Sequence, residues 1–460
     1  MKVNRLNDLD PKTYIKFLKS WASEKEITAR DFILFFTKEK DEQGNINNVF
    51  AWGFPDSELQ KLQSTRRNIF TALDKNAHDY SYALINLQNF EFKNAESVTT
   101  FFNEKLEPIL LFLQNHLCLK AYVTILVRNY SKESLYFPCS WMIGELVRTY
   151  FHMKDEKLVC QDLINDEKNF LGLKGKEVVY ALNFRKEENS PIKTFEKPDF
   201  SISAEYAQNQ LPQWFVLKPP PRKEKVKLHP GKYPEILVAD LIKSYTQRGD
   251  IIFDPMSGTG STQVAALECG RKAYGFEIAR HFFDIATERL ANIPTDQTEY
   301  QLINNDVRKI EKYKTLPGTF DYIITSPPYW DMLNMKGADT QKRRKQKGLH
   351  INYSDLKKDL GNYENYEDFL DQLVEIYERI VLRLKANGYF TIIVKNIKKK
   401  GIIYTFAWDL VQRLSKQMEL TNVQFWLQDD IKIAPYGWGS AWVSNTFHQY
   451  ILTFKKTGLS

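Results

Sequence analysis

The segment that most constrains this chain is a turn, Asp254-Pro255-Met256-Ser257-Gly258-Thr259-Gly260, set between an apolar run (250–255) and an apolar-periodic stretch (257–270) that Gly270 stops. Glycines at 258 and 260 let the backbone pass close to a ligand, and the helix that follows offers its positive end to a carboxylate or phosphate. From about residue 229 onward the same strand-helix alternation repeats. Strands are predicted at 250–255, 272–278, 300–306, 320–330, 388–397, 422–429 and 449–456, and helices at 235–246, 257–270, 279–292, 369–385 and 404–418. This pattern predicts an α/β fold, a doubly wound, mostly parallel seven-stranded sheet with an antiparallel closing strand.

In such sheets ligands bind beyond the carboxyl ends of the strands, and polar residues gather there. A dinucleotide fingerprint needs a third glycine where this chain has Gln263, which disfavours NAD or FAD. Glu277 closes the next strand, where a carboxylate can accept from ribose hydroxyls, and Asp306 closes the third. The fourth strand ends on Thr325-Ser326-Pro327-Pro328-Tyr329-Trp330. Two prolines fix the backbone and remove two N–H donors, leaving carbonyls and the Ser326 hydroxyl as rigid acceptors beside flat rings. Acceptors aimed at an exocyclic amine, next to a stacking surface, suit an extruded base.

The first 200 residues read as mixed but largely helical, with helices at 11–26 and 106–119 and a strand at 119–130. No internal repeat of solenoid type is evident. Polar and proline-rich stretches at 184–200 and 219–227 mark a connector, giving a largely helical N-terminal domain (1–185), a linker (186–228) and a catalytic domain (229–460) with a basic insert at 331–365. Residues 1–200 carry 28 Lys+Arg against 28 Asp+Glu, so the net charge of +7 lies wholly in residues 201–460. It concentrates at 222–227, at 341–347 and at Lys398-Lys399-Lys400, which suits a phosphate backbone. Four cysteines (118, 139, 160, 269) lack CxxC spacing, so neither a metal site nor a disulfide framework is indicated. A polar start and the lack of any apolar run of membrane length point to a cytoplasmic protein.

With these motifs in place, the chain resembles the DNA amino-methyltransferases, which methylate N4 of cytosine or N6 of adenine using S-adenosylmethionine. The segment 253–262 resembles their cofactor motif, 324–333 their catalytic motif, 229–235 (HPGKYPE) the segment that closes over the methionine part of the cofactor, and 361–394 the helix and strand that follow. The resemblance covers about residues 205–460 and implies a Rossmann-like methyltransferase domain. It implies that Asp254, Ser257, Gly258, Thr259 and Gly260, with Lys232 or its neighbours, shape the cofactor site, that Glu277 binds the ribose and that Asp306 binds the adenine amino group. Ser326 and the Pro327 carbonyl, held by Pro328, would accept from the target amine, and Tyr329 would stack on the base.

Ser326, rather than Asp or Asn, resembles the cytosine-N4 subgroup more than the adenine-N6 one. Adenine-N6 methylation, an RNA amine methyltransferase and a non-catalytic DNA-binding subunit remain as alternatives. Cytosine C5 chemistry needs a cysteine nucleophile, and Cys139 precedes the glycine turn and reads as a buried thiol. No chain length remains after 449–456 for a C-terminal recognition domain, so target reading falls to the first 200 residues or to the insert. There Lys342, Arg343, Arg344 and Lys345, with Trp330 beside them, are the expected DNA contacts. The expected partners are double-stranded DNA and, as in restriction-modification systems of prokaryotes, a cognate restriction endonuclease.

Overall fold

The computed structural model describes residues 7–73, 79–132, 135–163, 173–189, 212–218, 233–294, 299–330, 359–399, 401–429 and 446–456. Lys232, the basic residues 342–345 and most of the segments 186–228 and 331–365 lie outside them. Strands are numbered along the described chain. The first half supplies β1 (Trp21–Ser23), β2 (Asn48–Trp52), β3 (Asn68–Phe70), β4 (Tyr80–Asn86), β5 (Leu117–Arg128), β6 (Tyr130–Lys132), β7 (Leu135–Phe137), β8 (His152–Leu163) and β9 (Lys174–Arg185). After β10 (Trp214–Val216), the second half supplies β11 (Ile251–Asp254), β12 (Lys272–Phe276), β13 (Tyr300–Ile303), β14 (Phe320–Thr325), β15 (Leu384–Val394), β16 (Ile397–Lys399), β17 (Ile402–Tyr404), β18 (Glu419–Leu427) and β19 (His448–Lys455).

The second half is the expected doubly wound sheet, ordered β13-β12-β11-β14-β15-β19-β18, with β19 antiparallel to both neighbours. Its strands are apolar on both faces because helices cover both. Ile252, Tyr322, Ile324 and Ile393 pack with the helices Glu235–Tyr245 and Ser261–Glu268, while Phe253, Ile323, Phe390 and Ile392 pack with Tyr366–Val381 and Phe406–Leu414. The helix Tyr366–Val381 starts where Asn365 accepts from the N–H groups of Glu367 and Asp368.

The first half departs from the expected helical domain. It continues the same hydrogen-bonded sheet as β9-β5-β4-β2-β3, with β8 beside β9 and β1 beside β8, and its helices are short. Two physical causes hid these strands. The segment His152–Leu163 carries Asp155, Glu156 and Lys157, all buried, where a charge pattern would place them in solvent. The helix expected over 11–26 stops at Phe17, because Trp21, Ala22 and Ser23 instead pair in parallel with Leu158, Val159 and Cys160. Within the expected linker, β10 pairs in parallel with β18 and antiparallel with β9, and so joins the two halves into one sheet.

Candidate active site

Asp254 ends β11 fully buried and holds the glycine turn from behind. One of its oxygens accepts from the Met256 N–H (3.0 Å) and the Thr325 hydroxyl (2.9 Å), the other from Tyr233 (2.8 Å) and Thr262 (2.6 Å). Burial pushes its pKa up, and the Thr262, Met256, Tyr233 and Thr325 hydrogen bonds oppose that rise. Gly258 and Gly260 both take left-handed backbone (φ 54° and 77°), and a Cβ on Gly260 would lie 3.0 Å from that of Ala286. Only glycine takes this turn without strain. Ser257 and Thr259 are buried behind the turn, where the Ser257 hydroxyl donates to the Asp254 carbonyl (3.1 Å) and the Thr259 carbonyl accepts from Arg289.

In front of the turn lies an open cleft of about 640 Å³ lined by Met256, Glu277, Phe282, Asp306, Ser326 and Pro328. Thus the structure brings together acids from the ends of two strands and the turn 326–328 from a third. Glu277 accepts the N–H groups of Gly258 and Ala279, each at 2.7 Å. Burial pushes its pKa up to about 8, against those two hydrogen bonds and with the charges of Asp359 and Asp254 adding to the rise. Burial acts in the same direction on Asp306, but Arg308, whose Nε lies 2.9 Å away, holds its carboxyl below the usual range.

Tyr329 is half-buried, donates to Gln449 Oε1 (3.0 Å), and has Lys395 Nζ 4.9 Å from its ring centroid. Burial raises its pKa to about 12, opposed by a hydrogen bond with Ser326. Neither Tyr329 nor the buried Pro327 lines the cleft itself. Trp330 departs from its expected place on a DNA-facing surface. It is only 3% exposed, enclosed by Tyr366 and Tyr404 with Lys399 Nζ 3.7 Å from its ring centroid, because its left-handed backbone (φ 48°) sits among these rings. Lys398, expected among free phosphate contacts, is ion-paired with Asp155.

Several residues of the site escaped sequence reasoning. Thr325 bonds Asp254 and was quoted in the fourth-strand motif without a role, while Tyr233, which also bonds Asp254, falls among the neighbours of Lys232 expected near the cofactor. Asp359 and Leu360 line the cleft from the last part of the insert 331–365, with no spacing rule to flag them.

The DNA methylase family matches residues 7–288. The chain belongs to this family. The match begins at residue 7, well before the region of about 205–460 that the motif resemblance covers, and ends before Ser326. The chain is also 47% identical over 64 residues to the orphan methyltransferase M.BamHII of Bacillus amyloliquefaciens (14% of this chain, 24% of that one). It is 30% identical over 119 residues to the Type II methyltransferase M.MthZI of Methanothermobacter thermautotrophicus (24% of this chain, 34% of that one). The chain therefore spans about a quarter to a third of the length of these relatives. Among solved structures, magnesium protoporphyrin IX methyltransferase from Synechocystis PCC 6803 with bound SAM is 12% identical over 48% of this chain and 76% of its own (TM-score 0.29).

The cleft fits S-adenosylmethionine, the cofactor of the family. Met256, Ile278, Phe282 and Val307 give apolar walls for a flat ring, and the carboxyls of Glu277 and Asp306 give acceptors for hydroxyl and amino groups. Among the described residues no group of His, Cys, Asp and Glu could hold a metal ion.

Proposed function

We propose that this methylase transfers a methyl group from S-adenosylmethionine to the exocyclic N4 of a cytosine turned out of duplex DNA, at a specific sequence. The observation that carries this reading is that Ser326 and Pro328 line the same cleft as Glu277 and Asp306, so base and cofactor would meet over one strand end. When bound, S-adenosylmethionine supplies an electrophilic sulfonium methyl group. Glu277 would hold the ribose hydroxyls and Asp306 the adenine amino group, while the turn 254–260 supports the methionine end, with Lys232 nearby in sequence.

An exocyclic amine conjugated to its ring is a poor nucleophile. Ser326 Oγ and the Pro327 carbonyl would accept hydrogen bonds from its two N–H groups and favour the pyramidal form, whose lone pair can attack in line, the one proton released on methylation passing to solvent. Tyr329, with Lys395 over its ring, would offer the stacking face once the base enters. No covalent enzyme intermediate is needed, and positioning with fixed dipoles supplies the acceleration. Cys139 is fully buried and its thiol is pushed up to about 12 by burial, which supports its reading as a core residue.

The domain division at 185 and 229 belongs to this proposal, with the first half and the insert 331–365 reading the target. So do the cognate restriction endonuclease and the prokaryotic cytoplasm. No helix among the described residues is long and apolar enough to cross a membrane. The deciding experiment is incubation with labelled S-adenosylmethionine and unmethylated DNA, followed by nucleoside mass spectrometry. N4-methylcytosine is expected; N6-methyladenine overturns the base assignment, and label that enters RNA in a parallel incubation but not the DNA overturns the substrate class.

A further inference from the structure

The two halves of the sheet repeat one another. A constant shift of 267 residues carries β5 onto β15, β6 onto β16, β7 onto β17, the helix Cys139–Val147 onto Phe406–Leu414, and the start of β8 onto the start of β18. A shift of 270 carries the end of β9 onto the end of β19. Strand directions repeat as well: β4 and β5 are parallel, β9 is antiparallel to β5 and β8, and β1 is parallel to β8, just as β10 is to β18.

Irregularities repeat too. The β4–β5 register slips between Tyr80 and Tyr82, the β14–β15 register between Phe320 and Tyr322, and the left-handed residues Lys120 and Asn387 are counterparts. The bulge between Met153 and Asp155 matches that between Leu420 and Asn422. Identical residues fall at matched positions, among them Tyr122 and Tyr389, Thr124 and Thr391, Asn129 and Asn396.

The contacts between the halves are those of a two-fold pair. Trp21 Nε1 donates to the Gln428 carbonyl (3.0 Å) and Trp214 Nε1 to the Gln161 carbonyl (2.9 Å), and Gln428 is the counterpart of Gln161. Trp141 stacks on its own counterpart, Trp408, with ring centroids 6.0 Å apart, which puts both beside the axis.

Aligned by strand register, the first copy lacks the chemistry of the second. Ala51 stands for Asp254, Asn86 for Ser326 and Leu73 for Glu277. Only three residues, Gly53-Phe54-Pro55, join β2 to its helix, against six after Asp254, and a Cβ on Gly53 would fall 2.1 Å from the Asn86 carbonyl. Trp52 stacks on Phe90 at 5.7 Å next to that turn, and among the described residues no strand corresponds to β13.

One set of contacts breaks the symmetry. Asp155 and Glu156 of the first copy, at most 2% exposed, pair with Lys398 and accept from Asn396 Nδ2 (2.7 Å) just beyond β15. Their counterparts in the second copy are Asn422 and Val423. The segment they hold, 395–399, covers the catalytic turn, with Lys395 over Tyr329 and Lys399 over Trp330. We infer that residues 7–185 are a silent second copy of the methyltransferase fold without a cofactor site, and that its Asp155 and Glu156 are positioning residues for the catalytic turn of the active copy. The positioning part rests on the methyl-transfer reading above.

Two measurements on the full chain test it. Calorimetric titration with S-adenosylmethionine should give one site per chain, and none in Glu277→Ala; a stoichiometry of two, or one site surviving in that variant, overturns the silent copy. An absence of binding in the wild type instead overturns the cofactor reading, leaving the two failures distinct. Asp155→Asn should lower kcat about tenfold or more with KM for the cofactor nearly unchanged, and the exchange Asp155→Lys with Lys398→Asp should restore most of it. An unchanged kcat in Asp155→Asn overturns the positioning role. If that variant unfolds on thermal melting, Glu156→Gln takes its place, and a kcat equal to wild type there overturns it equally.

Discussion

The Glu277 carboxyl accepts the Gly258 N–H at 2.7 Å, tying the end of β12 to the turn that follows β11. The same acid, raised to about 8 by burial, faces the cleft. Ribose hydroxyls donate best to the ionised form, so binding draws the carboxyl to its charged state and releases a proton. Cofactor affinity should therefore rise with pH, by up to about tenfold per unit below pH 8, and level off above it. Titration at pH 7 in buffers of different ionisation heat measures that release, and a heat independent of buffer would refute it. Glu277→Gln should bind more weakly and without the pH dependence.

Asp254 gathers four donors at full burial, so Asp254→Asn turns an NH2 group toward hydroxyls that donate. We expect a loss of about 1–3 kcal/mol in urea unfolding without cofactor. Equal stability would mean that the four hydrogen bonds rearrange without cost.

Ser326→Ala removes one acceptor for the target amine while leaving the glycine turn untouched. Turnover should fall about 10²–10³-fold with cofactor affinity within a factor of two. Lost cofactor binding in this variant would remove Ser326 from the base side of the cleft.

Replacing Lys342, Arg343, Arg344 and Lys345 by glutamine should weaken binding to all DNA sequences and flatten the salt dependence, by about 0.9 in the log–log slope for each phosphate no longer neutralised. A slope equal to that of the wild type would return the cluster to plain solvated surface.

The second half was legible because short apolar runs alternate with helical stretches bounded by glycine, proline and asparagine, so each element from 235 to 291 lies within a few residues of its predicted place. The acids of the cleft were legible for a related reason: a polar residue ending an apolar strand has few structural uses. Trp330 misled because a bulky ring beside a catalytic turn reads as a stacking surface, and only its neighbours Tyr366 and Tyr404 show it enclosed. The first half stayed hidden because its strands carry charged residues whose partners, such as Lys398 for Asp155, lie some 240 positions away. Without Asp254, the glycines and Glu277 at the matching positions, the repeat left no motif to compare.

The seam between the halves buries Glu156, whose carboxyl takes up Asn396, Tyr450 and His448, as well as Asp155, which is ion-paired with Lys398. Two separate chains meeting across such a seam would desolvate those ions and also give up their translational freedom. Here the meeting is intramolecular, and the covalent link keeps each half at a high effective concentration for the other, independent of how dilute the protein is. Dilution should not separate them, so this seam could become polar and asymmetric in a way that an interface sustained by affinity alone could not.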